Sequence, residues 1–203
     1  MSIVVSYDFA EILGLLCAEG SHIVSYSNYW ERKNGTLYFR RNKLSERIEF
    51  YNKDINLLYH YKKLLMKEFN YGANITKCRK INIGNREIIR KITSYVILGH
   101  LSWRLPEAII KSDDCTKLRF LRGYFDGDGT SSGTVRFFSS NKIGLLGVSK
   151  LLENFTFVHT FQGPILKPKR KPAYVLQISR KDADRFIRLI EPVSKKPKSK
   201  IKI

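Results

Sequence analysis

Two short segments with a similar pattern place the strongest constraint on how this chain can fold. They run from Ile12 to Gly20 (ILGLLCAEG) and from Leu121 to Gly129 (LRGYFDGDG), and they lie 109 residues apart in a chain of 203 residues. Each is an apolar helical run with small residues four positions apart. The small residues are Gly14, Ala18, Gly123 and Gly127. Because residues at this spacing lie on one face of a helix, they allow two helix backbones to approach closely. The chain is therefore predicted to consist of two similar halves that arose by duplication, with two packed helices at its centre.

An acidic residue followed by glycine ends each segment, at Glu19 and at Asp128. A carboxylate at a helix C-terminus faces the negative end of the helix dipole, which costs about 0.3–1 kcal/mol, and two adjacent carboxylates repel each other. A divalent cation between them would remove both penalties. Oxygen ligands without His or Cys suit Mg²⁺ or Mn²⁺. One copy alone could be a simple turn, but two copies in the same register indicate a functional site.

The charge balance indicates a polyanionic partner. The chain has 37 Lys and Arg against 18 Asp and Glu, a net charge of +19, while 43% apolar residues argue against a disordered basic protein. The three cysteines form no C-x-x-C pair, so we expect reduced thiols and no zinc site. No membrane span or signal peptide is recognisable. We expect an intracellular protein of the cytoplasm or nucleoid that is not secreted.

Basic residues alternate with apolar ones along several predicted strands. Alternation with a period of two places the charges on one face of a sheet, and an antiparallel ribbon of this kind fits the DNA major groove. An ordinary solvated sheet face is the alternative, but few acids interrupt these rows. The candidate DNA-binding residues are Arg32, Lys33, Arg40, Arg41, Lys43, Arg47, Lys77, Arg79, Lys80, Arg86, Arg90, Arg136, Lys167, Lys169, Arg170 and Lys171.

The predicted elements follow the same order in both halves. In the first half we expect a capping box at Asp8 and Glu11, a hairpin turning at Asn34-Gly35, a helix over 55–69, strands over 74–81 and 86–92, and a helix over 93–103. In the second half, Asp113 or Asp114 caps the motif helix. Strands follow over 130–139, 156–165 and 173–179, with helices over 142–155 and 182–190. Asn52 and Asn141 look equivalent, which puts about 20 extra residues in the hairpin over 30–44.

These paired segments resemble the motifs of the LAGLIDADG homing endonucleases, in their single-chain, two-repeat form. The resemblance implies an α+β fold of two pseudo-symmetric αββαββα halves, with paired motif helices at the centre and two antiparallel DNA-binding sheets. It also implies a first half over 1–110, a second half over 111–193 and a basic flexible tail over 194–203.

The resemblance further implies which residues form the site. The last acid of each motif, Glu19 and Asp128, binds metal, and the adjacent Ala18 and Gly127 belong to the same metal site. Cys17 departs from the pattern by replacing the first acid of its motif, which the second copy keeps as Asp126.

Basic and polar strand residues complete the implied site. Lys169 and its counterpart Lys80 are catalytic candidates, either positioning a water or stabilising charge on the phosphate, and the alternative is a simple contact with the DNA backbone. Glu49 and Phe138 fall where the family often has a polar group, and of these only Glu49 could contribute.

The activity implied is that of an intron-encoded, site-specific double-strand DNA endonuclease acting as a monomer with an internal pseudo-dyad. It would hydrolyse phosphodiester bonds in a long asymmetric site with Mg²⁺ and leave 3′ overhangs. Mn²⁺ would substitute, and Ca²⁺ would bind without supporting cleavage. Two alternatives remain open: a maturase that binds intron RNA, and a DNA-binding regulator of the same fold that does not cut.

Overall fold

The computed structural model describes residues 5–131 and 134–194, which form seven helices and seven strands. The helices are α1 (Tyr7–Glu19), α2 (Ile55–Phe69), α3 (Arg86–Thr93), α4 (Glu107–Ile110), α5 (Asp114–Asp128), α6 (Lys142–Asn154) and α7 (Arg180–Ile190). The strands are β1 (Gly20–Lys33), β2 (Thr36–Tyr51), β3 (Lys80–Ile83), β4 (Gly129–Thr130), β5 (Arg136–Ser139), β6 (His159–Ile165) and β7 (Ala173–Ile178).

Two antiparallel sheets with matching connections confirm the predicted α+β fold. The first sheet has the order β1-β2-β3, and the second has the order β4-β5-β7-β6. A single bridge between Ile75 and Ile81 takes the place of a fourth strand in the first sheet. In each half a motif helix runs directly into the first strand, and that strand pairs with the second.

The hydrophobic core lies between the sheets and the central helices. Helix α1 is buried from Phe9 to Cys17 on all sides, as expected of a helix at the centre of a domain. The inner face of the first sheet contributes Ile48 and Phe50, and that of the second contributes Phe137 and Leu176, all fully buried. The opposite face of each sheet is left open.

The helix starts were partly predictable. Ser6, and not Asp8, caps α1: its side chain accepts a hydrogen bond from the backbone N–H of Phe9. The predicted capping box is therefore wrong, because Glu11 is buried and bonded elsewhere. Asp113 caps α5 as predicted, accepting from the backbone N–H of Thr116.

The segment after β3 was predicted wrongly. Residues 86–92 lie in helix α3 and not in a strand, because Asn85 caps the backbone N–H groups of Glu87 and Ile88. Ile88, Ile89 and Ile92 then share the buried face of that helix. The predicted helix over 93–103 is also absent, since α3 ends at Thr93 and irregular backbone follows to Leu105.

The extra residues of the first half lie in its first hairpin, as predicted. Gly20 pairs with Phe50, 30 residues later, whereas Gly129 pairs with Phe137, only eight residues later. The turn at Asn34-Gly35 has positive φ at both residues, 50° and 80°, as a two-residue hairpin of this kind requires. Strand β2 continues unbroken from Thr36, just after this turn, to Tyr51.

The predicted equivalence of Asn52 and Asn141 is displaced by two residues. Asp54 caps α2 and Asn141 caps α6, and each has its own backbone N–H bonded to the side chain two positions earlier. Asp54 is therefore the counterpart of Asn141.

Two observations concern the apolar character of the helices and the C-terminal segment. Within residues 5–131 and 134–194, none of the helices combines the length and apolar character that a membrane-spanning segment needs. Of the predicted basic tail, residues 195–203 lie outside the described part of the chain. Ser194 itself is bonded to the carboxylate of Asp126.

Candidate metal and nucleic-acid site

Glycines at the interface allow the backbones of helices α1 and α5 to come into direct contact. A Cβ added at Gly14 would lie 2.2 Å from the carbonyl oxygen of Phe120, and one at Gly123 would lie 2.3 Å from that of Glu11. One turn further on, a Cβ at Gly127 would lie 2.3 Å from the Cβ of Ala18. The predicted small-residue packing is confirmed, and its near-symmetry matches two equivalent motifs.

The same packing brings together the C-terminal ends of the two helices. Glu19 is the last residue of α1 and Asp128 the last of α5. The Cγ of Glu19 lies 3.5 Å from the place of a Cβ on Gly127, next to Asp128. Burial, together with the negative charge of Asp128, raises the pKa of the Cys17 thiol on the opposite helix. Each acid therefore lies against the end of the other helix.

The residues at these helix ends fit a hard divalent cation. The donors are two carboxylates, and the raised pKa keeps the nearby Cys17 as a thiol, whereas the thiolate is the form that binds metal. Among the described residues there is no cluster of three or more His, Cys, Asp or Glu side chains able to hold a metal. Further ligands would have to come from the main chain, water or a phosphate, as is usual for Mg²⁺.

Glu49 lies beside the first motif acid, on the open face of the first sheet. It pairs across the strands with Ser21, two residues after Glu19. Lys80 Nζ donates to its Oε2 at 2.9 Å, and Arg47 Nε donates to its Oε1 at 2.8 Å. The hydrogen bonds from Lys80 and then Arg47 lower the pKa of Glu49, so its carboxylate stays ionised.

The second half carries Arg136 at the matching position. Arg136 pairs with Thr130, two residues after Asp128, and its Nε donates to the side-chain oxygen of Gln177 at 2.7 Å. The pairing of Phe50 with Ile81 and of Phe137 with Leu176 aligns the two sheets.

This register corrects two predicted equivalences. The counterpart of Lys80 is Val175 and not Lys169, which lies in the loop between β6 and β7. The counterpart of Glu49 is Arg136, and Phe138 instead corresponds to Tyr51.

The predicted DNA-binding residues fall on several surfaces. Strand alternation places Lys33, Arg40, Lys43, Arg47 and Lys80 on the open face of the first sheet. There Arg40 pairs with Glu31 at 2.9 Å, and the ammonium of Lys43 lies over the ring of Tyr29. Arg136 occupies the open face of the second sheet.

The remaining basic residues lie off these faces. Lys77 and Arg79 are in the turn before β3, and Lys167, Lys169, Arg170 and Lys171 are in the β6–β7 loop. Arg32 and Arg41 belong to the opposite side of the long hairpin, where Arg41 lies over the ring of Phe39. Arg86 and Arg90 were assigned to a strand row and lie on helix α3 instead.

Comparison with known proteins agrees with this architecture. A family model described as a LAGLIDADG-like domain matches residues 116–191. Mesophilic variants of the homing endonuclease I-DmoI superpose with a TM-score of 0.65 at 23% identity, covering 91% of this chain and 94% of theirs. This is the two-repeat LAGLIDADG fold. I-DmoI in complex with DNA and Mn is similar, with a TM-score of 0.64 at 22% identity and coverage of 91% and 96%.

A second protein class shares the LAGLIDADG fold with a lower sequence identity and a lower TM-score. The N-terminal LAGLIDADG domain of DUF199/WhiA superposes with a TM-score of 0.56 at 17% identity, covering 97% of this chain and 86% of that domain. A comparison with curated proteins returns no match.

The position of the first motif acid is buried in both central helices. Asp126 is buried in α5 and accepts hydrogen bonds from the backbone N–H groups of Val193 and Ser194 at 2.9 and 3.0 Å. It therefore fixes the segment that follows α7. Cys17 occupies the corresponding position in α1, where it is buried and uncharged.

A buried ion cluster joins the two LAGLIDADG halves and was not predicted. The Glu11 side chain in α1 is 1% exposed and lies 2.5 Å from His60 Nε2 of α2, 3.2 Å from Arg122 Nε and 3.3 Å from Arg119 Nη1 of α5. The spacing of Arg119 and Arg122 on one helix face was visible in the sequence. Their carboxylate partner was not, because it lies 108 residues away from Arg119.

Proposed function

We propose that the protein is a site-specific, metal-dependent endonuclease for double-stranded DNA. The observation that carries this proposal is the contact between the two motif helices, which brings the ends bearing Glu19 and Asp128 together beside two basic open sheets. The net charge of +19 supports a polyanionic substrate. The similar complex of I-DmoI with DNA supports the same class of partner.

Glu19 and Asp128, with the main chain of Ala18 and Gly127, are the groups we assign to the metal. Mg²⁺ bound there would lower the pKa of a water and neutralise charge on the phosphate, and Mn²⁺ would substitute. The similar I-DmoI complexes with Mn, Ca and Mg support the use of a divalent ion. Lys80 is assigned to the charge of the scissile phosphate, and Lys169 is assigned to contact the DNA backbone.

The two sheets are assigned to the DNA major groove on either side of the cleaved position. Arg40, Lys43 and Arg47 of the first sheet and Arg136 of the second point from open faces and would hold phosphates and base edges. The long hairpin of the first half gives the two halves different reach. An asymmetric target, a monomeric enzyme with halves over 1–110 and 111–193, an intron-encoded origin and 3′ overhangs belong to the same proposal.

The test begins with finding a target. The protein is incubated with Mg²⁺ and a plasmid library carrying random inserts, and the cut molecules are recovered and sequenced. Asp128→Asn is then expected to bind the recovered site as the original protein does while cleaving at least about a hundredfold more slowly. Asp113→Asn is the matched control on the same helix, because Asn caps a helix as well as Asp does.

The result of this test separates nuclease from regulator. Normal cleavage by Asp128→Asn would contradict the assignment of the site. A non-cutting DNA-binding regulator is the second candidate, favoured by the similarity to the LAGLIDADG domain of DUF199/WhiA. It would retain specific DNA without cutting it, with either Mg²⁺ or Mn²⁺ present.

A further inference from the structure

One side of the long hairpin formed by β1 and β2 carries large apolar side chains that the core does not cover. Near the base of the hairpin this side is buried, at Ile48 and Phe50, but further out its side chains are exposed. Strand alternation and the register place the outer side chains on one face, opposite the open face that carries Lys43 and Arg47. We call this surface the rear face. Its large apolar side chains, each at least 41% exposed, are Val24, Tyr26, Trp30, Leu37, Phe39 and Leu44.

Three aromatic rings lie within this row. Trp30 and Phe39 are cross-strand partners, and their ring centroids are 4.9 Å apart. Tyr26 comes four residues before Trp30 on the same face, about 13 Å away along the strand. Tyr26 and Trp30 are the more exposed, at 69% and 62%. Single exposed apolar side chains are ordinary on a protein surface, but a continuous exposed row is typical of a binding surface.

The rear face carries a positive charge. Arg32 lies on it, and the guanidinium of Arg41 lies over the ring of Phe39, 5.6 Å from its centroid. Over the whole hairpin, which the structure describes throughout, Glu46 is the only carboxylate on this face, and it is paired with His22 at 2.9 Å. The chain as a whole has a net charge of +19. A second copy of the chain would therefore be repelled, whereas a polyanion would be attracted.

Exposed aromatic rings beside arginines suit single-stranded nucleic acid. Unpaired bases stack on aromatic side chains while basic side chains hold the backbone, and this arrangement tolerates different base sequences. A duplex cannot bind in this way because its bases are stacked inside the helix. We propose that the rear face binds unpaired nucleotides of a single-stranded nucleic acid. Bases stack on Tyr26 and Trp30, and Arg32 and Arg41 hold phosphates. This site is separate from the open face that we assign to duplex DNA.

Trp30 provides a direct probe of the stacking. The chain has two tryptophans, and the other one, Trp103, is 2% exposed in the core. An oligo(U) or oligo(dT) of about twelve nucleotides is expected to quench the emission of Trp30 as it binds, and the anisotropy of a labelled oligonucleotide gives its affinity. A duplex of the same length should bind without this quenching. Tighter binding of oligo(U) would identify RNA as the preferred strand, and tighter binding of oligo(dT) would identify DNA.

Substitutions on the rear face test the site. Trp30→Ala should weaken single-strand binding about five- to a hundredfold and leave duplex affinity within twofold, while Trp30→Phe keeps a ring and should recover most of the loss. Arg41→Gln should reduce the slope of log single-strand affinity against log salt by about 0.7. Tyr59→Ala removes a ring of 60% exposure from α2, and Arg188→Gln removes an exposed arginine from α7. These matched controls should change neither quantity, and the emission of Trp103 checks that each variant is folded.

The outcomes are distinct. Absence of single-strand binding, binding without quenching of Trp30, or equal binding by Trp30→Ala would each overturn the inference. A polyglutamate peptide that binds more tightly than the oligonucleotides, or dimerisation in sedimentation, would also overturn it if Trp30→Ala abolishes that interaction, because the rear face would then dock protein. Failure to cut any DNA would overturn the proposed nuclease and leave this inference intact, since none of these measurements requires cleavage.

Discussion

Replacing Gly123 by alanine should separate the two motif helices. The added Cβ would lie 2.3 Å from the carbonyl oxygen of Glu11 and 2.9 Å from the backbone nitrogen of Leu15. Both neighbours are backbone atoms, so no side-chain rotation can relieve the contact. An ordinary contact of this kind is about 3.5 Å, and the helices must therefore move apart by about 1 Å.

The size of the effect follows from that separation. We take about fifty van der Waals atom pairs across the interface, each with an attraction of ~0.15 kcal/mol at its optimum. If each pair loses a third of this attraction, the interface loses about 2.5 kcal/mol. The better helix propensity of alanine offsets at most about 1 kcal/mol. We expect a net loss of about 2 kcal/mol in the free energy of unfolding, and a fall in Tm of about 4–8 °C for a chain of this size.

Urea and thermal unfolding followed by circular dichroism would measure this change. Gly84→Ala is the control, since no atom of the described residues, apart from its chain neighbours, lies within 4 Å of its added Cβ, and it should change stability by less than about 0.5 kcal/mol. The double variant Gly14→Ala/Gly123→Ala should cost less than the sum of the two, because one separation serves both. If Gly123→Ala unfolds within 0.5 kcal/mol of the original protein, the close-packed interface is refuted.

Three further predictions concern charges. Glu11→Ala should lower the free energy of unfolding by about 3 kcal/mol, because it leaves His60 and two arginines without their buried carboxylate, whereas Glu107→Ala should cost almost nothing in the same urea titration. The pKa of Glu49 is lowered in the folded protein, so its contribution is complete above the ordinary carboxyl pKa of about 4.3 and is lost as pH falls through the lowered value. Glu49→Gln should therefore lose less stability than the original protein between pH 7 and pH 3. Lys43→Gln should reduce the slope of log affinity for DNA against log salt by about 0.9, and an unchanged slope would exclude a phosphate contact.

The central helices and the first hairpin could be predicted because local signals and the fold agree there. Small residues four apart have one main use on a buried helix, and Asn-Gly between apolar runs predicts a two-residue turn. Residues 86–92 were predicted wrongly for the opposite reason. Over so short a segment, isoleucines at 88, 89 and 92 are compatible with either helical or strand periodicity. The cap at Asn85 decides in favour of the helix.

The parts of the site that sequence could not provide depend on contacts between distant segments. Nothing near Glu11 indicates that His60 and Arg122 will surround it, and nothing near Glu49 identifies Arg136 as its counterpart. The second assignment needs the strand register, which is set by the burial of Phe50 and Phe137 and not by the apparent equivalence of Asn52 and Asn141. The same register gives Val175, and not a lysine, as the counterpart of Lys80.

The pattern of likeness and difference between the halves indicates where symmetry is needed. Gly14 lies against the carbonyl of Phe120, three residues before Gly123, and Gly123 lies against the carbonyl of Glu11, three residues before Gly14. The contacts of the two glycines are therefore nearly equivalent. Moving one motif helix along the interface would therefore require the same movement of the other helix. The same constraint applies to the strand that follows each helix. Away from the helix pair the constraint ends. There the first hairpin is longer, and the position that the carboxylate of Glu49 occupies in one sheet is occupied by the guanidinium of Arg136 in the other. A symmetric centre with unlike outer surfaces suits a ligand whose two ends are related in shape but not in sequence, and double-stranded DNA with an asymmetric site has this property.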